Sequence, residues 1–208
     1  MPLVYQQNVN AVTKMGVWHI TETEDFFLQQ VPLQKEIRHW HKRLQHLAGR
    51  YLLKELYPNF PLELIKIADT RKPFLQDEAY HFSISHCGNY AAVVVSKAYR
   101  VGVDVELVTP KIENILHKFL SAQEQYLLPQ DTLHKTATLF WSVKESVYKW
   151  KGNGGVDFID HINIQSIQDK NNEGVVHCLF ENTIPLKVHY LFFNDNFLTW
   201  VLSMPQIA

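Results

Sequence analysis

The residues best suited to chemistry stand in two segments, Gly102-Val103-Asp104-Val105-Glu106 and Trp141-Ser142-Val143-Lys144-Glu145-Ser146-Val147-Tyr148-Lys149. On a strand, residues two apart share a face, so Asp104 and Glu106 point together while Val103 and Val105 point the other way. Two carboxylates crowded in this way repel each other, and they stay ionised when a cation or donors lie between them. Magnesium suits such a pair, because it takes a few carboxylates and keeps places for water and phosphate oxygens. On a helix, Trp141, Glu145 and Lys149 are four apart and lie on one face. Glu145 can then supply a third carboxylate, and Lys149 can meet a phosphate one turn further along. Each segment also has a plain reading, as a solvated sheet edge or an exposed Glu–Lys pair.

Three weaker elements accompany them. Ser85 and His86, in Ser83-Ile84-Ser85-His86, fall where a strand ends before Gly88-Asn89. A hydroxyl and an imidazole there could hold a phosphate or an adenine, or cap the turn. No orienting acid and no glycine elbow accompany them, so a Ser–His nucleophile is not supported. Arg50, in Gly49-Arg50-Tyr51-Leu52-Leu53, and Lys72, whose backbone is restricted by Pro73, could each clamp a phosphate or simply be solvated. His39, His41 and His46 crowd one stretch, but their spacing matches neither H-E-x-x-H nor a zinc finger.

The elements that must position these residues follow from periodicity. Gly16 to Ile20 reads as a strand. Leu33, Ile37, Trp40, Leu44, Leu47 and Tyr51 recur at steps of four and three, which predicts a long amphipathic helix from Leu33 until Pro58 stops it. Its opposite side carries Lys35, Arg38, Lys42 and Arg43. Strands are expected over 62–68, 81–86, 90–96 and 101–105. Ser121 and Glu124 form a capping box that opens a short helix ending near Pro129. Leu133, Phe140, Val143, Val147 and Trp150 mark a second long helix, ended by Gly152-Asn153-Gly154-Gly155. The remainder, to Ser203, alternates apolar and polar residues in three or four stretches, as an antiparallel meander does. The order predicts an α/β (α+β) fold of two halves of similar content, 1–107 and 108–208.

The whole-chain properties narrow the partners. The chain has 208 residues, of which 46% are hydrophobic and 20% charged, so it can bury a substantial core. Its formal net charge is −1, which excludes bulk binding of polyanions; no nucleic acid is expected, and an acidic ligand needs a local basic patch. Met1 to Asn10 has neither a basic stretch nor an apolar core, and the most apolar run is too short to cross a bilayer. No membrane association is expected, and Cys87 and Cys178 read as free thiols in a reducing cytoplasm.

The order Lys72-Pro73, Phe82-Ser83-Ile84-Ser85-His86, G-V-D-V-E and W-S-x-K-E-x-x-x-K resembles the 4′-phosphopantetheinyl transferases of the surfactin-synthetase-activating type (group II). The resemblance implies a single monomeric chain of two similar α/β halves related by a pseudo-twofold axis, with coenzyme A in the cleft between them. It implies transfer of the cofactor's phosphopantetheine arm to a serine of an acyl, peptidyl or polyketide carrier protein, with release of 3′,5′-ADP. Asp104, Glu106 and Glu145 match the family's magnesium ligands, manganese being an alternative. Arg50, Lys72, Pro73, Ser85, His86, Lys144 and Lys149 fall on positions that hold the cofactor, and Glu145 is also a candidate base. Cys87 and Arg71 depart from the family's frequent serine and glycine. Two rivals share these residues: a magnesium-dependent phosphoesterase and a non-catalytic nucleotide-binding module. For the carrier, the stretch from Lys111 to Leu128 is the expected docking surface: of Ile112, Ile115, Leu116, Phe119 and Leu120, part packs inward and the exposed remainder docks, with Lys111 and Lys118 steering.

Overall fold

The computed structural model describes residues 2–33 and 36–203, and the expected exposed Lys35 lies outside them. The fold is mixed α/β, and the chain divides into two compact units, Met1–Val101 and Gly102–Ser203. The division falls at the head of the Asp104–Glu106 strand rather than after Leu107. That strand joins the sheet of the second unit, which draws the boundary forward.

The first unit runs β1 (Leu3–Asn10), β2 (Thr13–His19), α1 (Glu24–Leu28), α2 (Trp40–Leu56), β3 (Lys66–Ile67), β4 (Pro73–Phe74), β5 (His81–Cys87) and β6 (Tyr90–Ser96). Four strands make an antiparallel sheet in the order β1-β2-β6-β5. Leu47, Ala48, Leu52, Leu53 and Leu56 of α2 form one buried cluster with Phe82, Ala91, Val93 and Val95 of that sheet. Burial of each such leucine contributes about 2 kcal/mol relative to exposure. Gly49 permits a close approach: a Cβ there would stand 2.7 Å from Ile84 Cγ2. The helical turn bearing Arg50 is thereby brought down onto β5, which carries Ser85 and His86.

Two expectations change here. α2 starts at Trp40, not Leu33. Arg43 donates from Nη1 to the Ile37 carbonyl at 2.8 Å and from Nη2 to Glu24 at 2.8 Å. The Ile37 carbonyl, which a longer helix would use for its own ladder, is thus taken by a side chain. The strand expected over 62–68 is a 3₁₀ turn at Leu62–Leu64 followed by the two residues of β3. β1 has no counterpart in the sequence reading, since its burial does not alternate cleanly.

The second unit, from Gly102, holds most of β7 (Arg100–Leu107), a 3₁₀ stretch at Pro110–Lys118, α3 (Ala122–Gln125), α4 (Leu133–Lys151), β8 (Ile162–Lys170), β9 (Glu173–Phe180), β10 (Ile184–Phe193) and β11 (Asn196–Ser203). Its sheet has the order β7-β11-β10-β9-β8, and the last four strands are the expected antiparallel meander. Asn194 and Asp195, both in the left-handed region, make the tight turn between β10 and β11. α4 covers the sheet, with Phe140, Val143, Val147 and Trp150 in the same buried cluster as Val176, Phe180, Val188 and Val201. Gly152 ends α4 at φ 80°, its N–H bonded to the Tyr148 carbonyl at 3.0 Å.

The apolar stripe over 111–120 packs largely inward, and Lys111 and Lys118 are exposed. Ile112, Phe119 and Leu120 belong to the buried cluster, and Ile115 and Leu116 pack against it. Over 111–128 the large apolar side chains left exposed are Tyr126 and Leu127, at 90% and 46%.

β7 and α4 approach each other closely at Gly102. A Cβ on Gly102 would lie 2.0 Å from the Ser146 carbonyl oxygen and 2.7 Å from the Trp150 nitrogen. Both neighbours are backbone, so relief requires the helix to move. Gly102→Ala is expected to cost about 3 kcal/mol in urea unfolding; a loss below about 0.5 kcal/mol would show that β7 and α4 are not locked at this distance.

Candidate active site

β7 and α4 bring the acidic residues together. Asp104 faces the helix and is 1% exposed, while Glu106 and Glu145 are half-buried. The Lys149 ammonium donates to Asp104 Oδ1 at 2.5 Å and stands 3.9 Å from Glu145 Oε2. Its pKa is raised: desolvation opposes its charge, and Asp104, Glu145 and, more weakly, Glu106 outweigh that. Burial, foremost, and the Asp104 charge push the Glu145 carboxyl up, against the pull of Lys149. One cation therefore sits in the field of three carboxylates, two from alternate positions of a strand and one from the facing helix.

Asp104 is fixed by more than Lys149. Ser142 donates its hydroxyl to Asp104 Oδ2 at 2.8 Å. The Ser142 and Thr199 hydroxyls lie 2.9 Å apart, those of Ser146 and Thr199 2.5 Å apart, and Ser146 bonds the Ser142 carbonyl at 3.0 Å. These three hydroxyl residues are fully buried between α4 and β11. Sequence reading included Ser142 and Ser146 in the motif but gave them no role. Two serines four apart on the apolar face of a core helix are the available signal; Thr199, far along the chain, gave none.

Lys144 does not join this group. Its side chain is completely buried, and its ammonium donates to Glu124 at 2.8 Å and to the Phe158 carbonyl at 2.7 Å. Glu124 completes the expected capping box with Ser121 and also accepts from the Ile164 backbone N–H at 2.9 Å. Lys144 was expected among the residues that hold the cofactor's phosphates; it instead ties α4 to α3 and β8. Burial, the largest influence, lowers its pKa against the pull of Glu124. Trp141 stacks edge-on to Phe119 at 5.2 Å and anchors the same helix.

The remaining candidates lie in the first unit. Arg50 is 6% exposed; its Nε is buried without a hydrogen-bond partner among the described residues, and Nη1 reaches the His46 carbonyl at 3.4 Å. Burial lowers the Arg50 pKa to about 10. An orphaned guanidinium donor of this kind is suited to an anion. Lys72 is half-buried, and its pKa falls to about 8 through burial and then Arg100. Arg100 and Lys72 also depress His81, after its own burial, against Glu78. His81 and Arg100 thus join Lys72 in a basic group that the sequence reading did not include. Pro73 opens β4, Ser85 is buried and His86 is exposed.

Among the described residues, no three His, Cys, Asp or Glu groups are already disposed to hold a metal ion. The oxygen chemistry of Asp104, Glu106 and Glu145 nonetheless fits a hard divalent cation, and between Asp104 and Glu145 stands a cation, Lys149. Acidic oxygens around one exchangeable charge define a carboxylate site suited to phosphate chemistry.

The comparisons agree with that class. Residues 100–200 match the family described as the 4′-phosphopantetheinyl transferase superfamily. Enterobactin synthase component D of Salmonella typhi is 32% identical over 113 residues, 52% of this chain and 47% of that protein. The 4′-phosphopantetheinyl transferase AcpT of Escherichia coli is 25% identical over 146 residues, 68% of this chain and 72% of that protein. The chain spans about half the length of the enterobactin synthase relatives it matches. The matched segment, 100–200, contains the strand and helix that bear the carboxylates.

The raised Glu145 carboxyl has a consequence for stability. Its ionisation costs folding free energy, so the cost is absent below the ordinary carboxylate pKa and is complete above the raised one. Without divalent ions at neutral pH, Glu145→Gln is expected to raise Tm by about 3 °C, equivalent to about 1 kcal/mol for a chain of this size. The gain should vanish at acid pH. Calorimetry showing a lower Tm for the variant at neutral pH would contradict the crowding of Glu145.

Proposed function

We propose that the protein transfers the 4′-phosphopantetheine arm of coenzyme A to a serine of an acyl, peptidyl or polyketide carrier protein, releasing 3′,5′-ADP. Within the superfamily we assign it to the surfactin-synthetase-activating type. The observation that supports this most is the Lys149 ammonium held by Asp104 at 2.5 Å and beside Glu145 at 3.9 Å, with Glu106 on the same face of β7, inside the matched segment.

Asp104, Glu106 and Glu145 are the residues that would hold magnesium or manganese, which supplies Lewis-acid stabilisation of phosphate oxygens when bound. The chain's own groups account for the rest. Attack on the β-phosphorus of the pyrophosphate places negative charge on its oxygens, and the Lys149 ammonium can neutralise it. Glu145, adjacent to Lys149 and half-buried, can accept the proton that the incoming serine hydroxyl must lose. Ser142, itself bonded to Thr199, holds Asp104 in one orientation. Arg50 and Lys72 are cations whose charge is disfavoured by burial, and a phosphate would restore it. Ser85 and His86 are further donors for the cofactor. The cytoplasm is the compartment we propose, on the sequence's two widely spaced cysteines with no C-x-x-C pattern. Among the described residues, no helix is long and apolar enough to cross a membrane.

The test is the intact mass of candidate carrier proteins after incubation with coenzyme A and magnesium. The expected result is the gain of one phosphopantetheine, at a rate lowered about a hundredfold or more by Asp104→Ala. Release of 3′,5′-ADP without any carrier, and no gain of mass with one, would replace the reading with a phosphoesterase.

A further inference from the structure

The sheet of the second unit has a second face, and that face carries a feature the transfer reaction does not use. Val176, Cys178 and Phe180 of β9 belong to the core under α4, so His177 and Leu179 between them point the other way. On β10, Leu186 and Val188 are core, and Pro185, Lys187 and His189 point outward. His177 and Lys187 are direct cross-strand partners, which sets imidazole and ammonium side by side. A hollow of about 470 Å³ runs across these strands, bordered by Gln165, His177, Leu179, Pro185, Lys187 and Leu202.

Three observations give the hollow a chemical preference. His177 Nε2 is buried and has no hydrogen-bond partner among the described residues, at a cost that a ligand would relieve. Among the described residues, no carboxylate lines the hollow, while a lysine and an imidazole do. His189, two residues from Lys187 on the same face and stacked on Trp200 at 5.5 Å, has its pKa lowered by burial and then by Lys187 and His177. The face is therefore positive and donor-rich at its centre, with Leu179, Pro185 and Leu202 as apolar walls. Its volume lies within the range of small-molecule sites.

We propose that this hollow binds a small organic anion, with its acidic head between His177 and Lys187 and its apolar body against Leu179, Pro185 and Leu202. The site is separate from the carboxylates on β7 and α4, and its occupancy does not depend on the transferase reading.

The test uses the full chain, with histidine side chains observed by long-range ¹H–¹⁵N NMR at about pH 6.5, near the ordinary imidazole pKa. Butyl phosphate is the probe, with inorganic phosphate as its head group alone. The expected result is a saturable shift of the His177 ring nitrogens by butyl phosphate. Affinity should be about tenfold weaker for inorganic phosphate and about tenfold weaker in Lys187→Ala. Lys187 is exposed, so that variant should fold normally. An unmoved His177 ring, an unchanged affinity in Lys187→Ala, or equal affinities for the two phosphates would each overturn the assignment.

Discussion

An ionised carboxylate with 1% of its surface exposed must be met by an opposite charge and by donors, and Asp104 obtains both from one helix. Lys149 supplies the charge and Ser142 the hydroxyl, two turns apart on α4. Removing either partner would leave a buried charge inadequately matched, a situation that costs several kcal/mol. The positions of β7 and α4 are therefore fixed by electrostatics as well as by apolar packing. Gly102 permits the distance, because any side chain there would strike the helix backbone. The rest of the site inherits its geometry from that contact: Glu106 follows Asp104 on the strand, and Glu145 precedes Lys149 by one turn.

The same logic separates two lysines that the motif places five residues apart. Lys149 is 25% exposed and lies among carboxylates that a metal could claim, so its ammonium can be exchanged. Lys144 has no exposure, and its partner Glu124 also accepts two backbone N–H groups, from Ser121 and Ile164. A lysine held this way stabilises an arrangement and has no charge to spare for a ligand. The W-S-x-K-E-x-x-x-K motif thus combines a structural tie and a carboxylate-facing lysine on one helix, with Trp141 packed against Phe119.

Much of this was legible in the sequence because it is local. The shared face of Asp104 and Glu106 follows from the two-residue period of a strand, and that of Glu145 and Lys149 from the four-residue spacing of a helix. The Ser121–Glu124 cap, the αL glycine after α4 and the closing meander are likewise set by near neighbours. Non-local features were hidden. That Lys144 faces Glu124, twenty residues away, cannot be read from either residue. The Asp104–Ser142–Thr199 chain joins three distant segments. α2 is shorter than its amphipathic pattern suggests: ahead of it the Ile37 carbonyl accepts from Arg43, whose guanidinium also pairs with Glu24, nineteen residues away. The apolar residues over 111–120 were legible as a stripe, but their spacing could not say that the stripe faces the core.

We propose that Asp104, Glu106 and Glu145 form one divalent-cation site beside Lys149. Electron paramagnetic resonance of added Mn²⁺ measures this without any substrate. One Mn²⁺ is expected per wild-type chain, with affinity reduced about tenfold or more in Asp104→Asn, since loss even of a supporting group costs that much. Absence of binding to the wild-type chain, or an affinity unchanged in Asp104→Asn, would contradict the account.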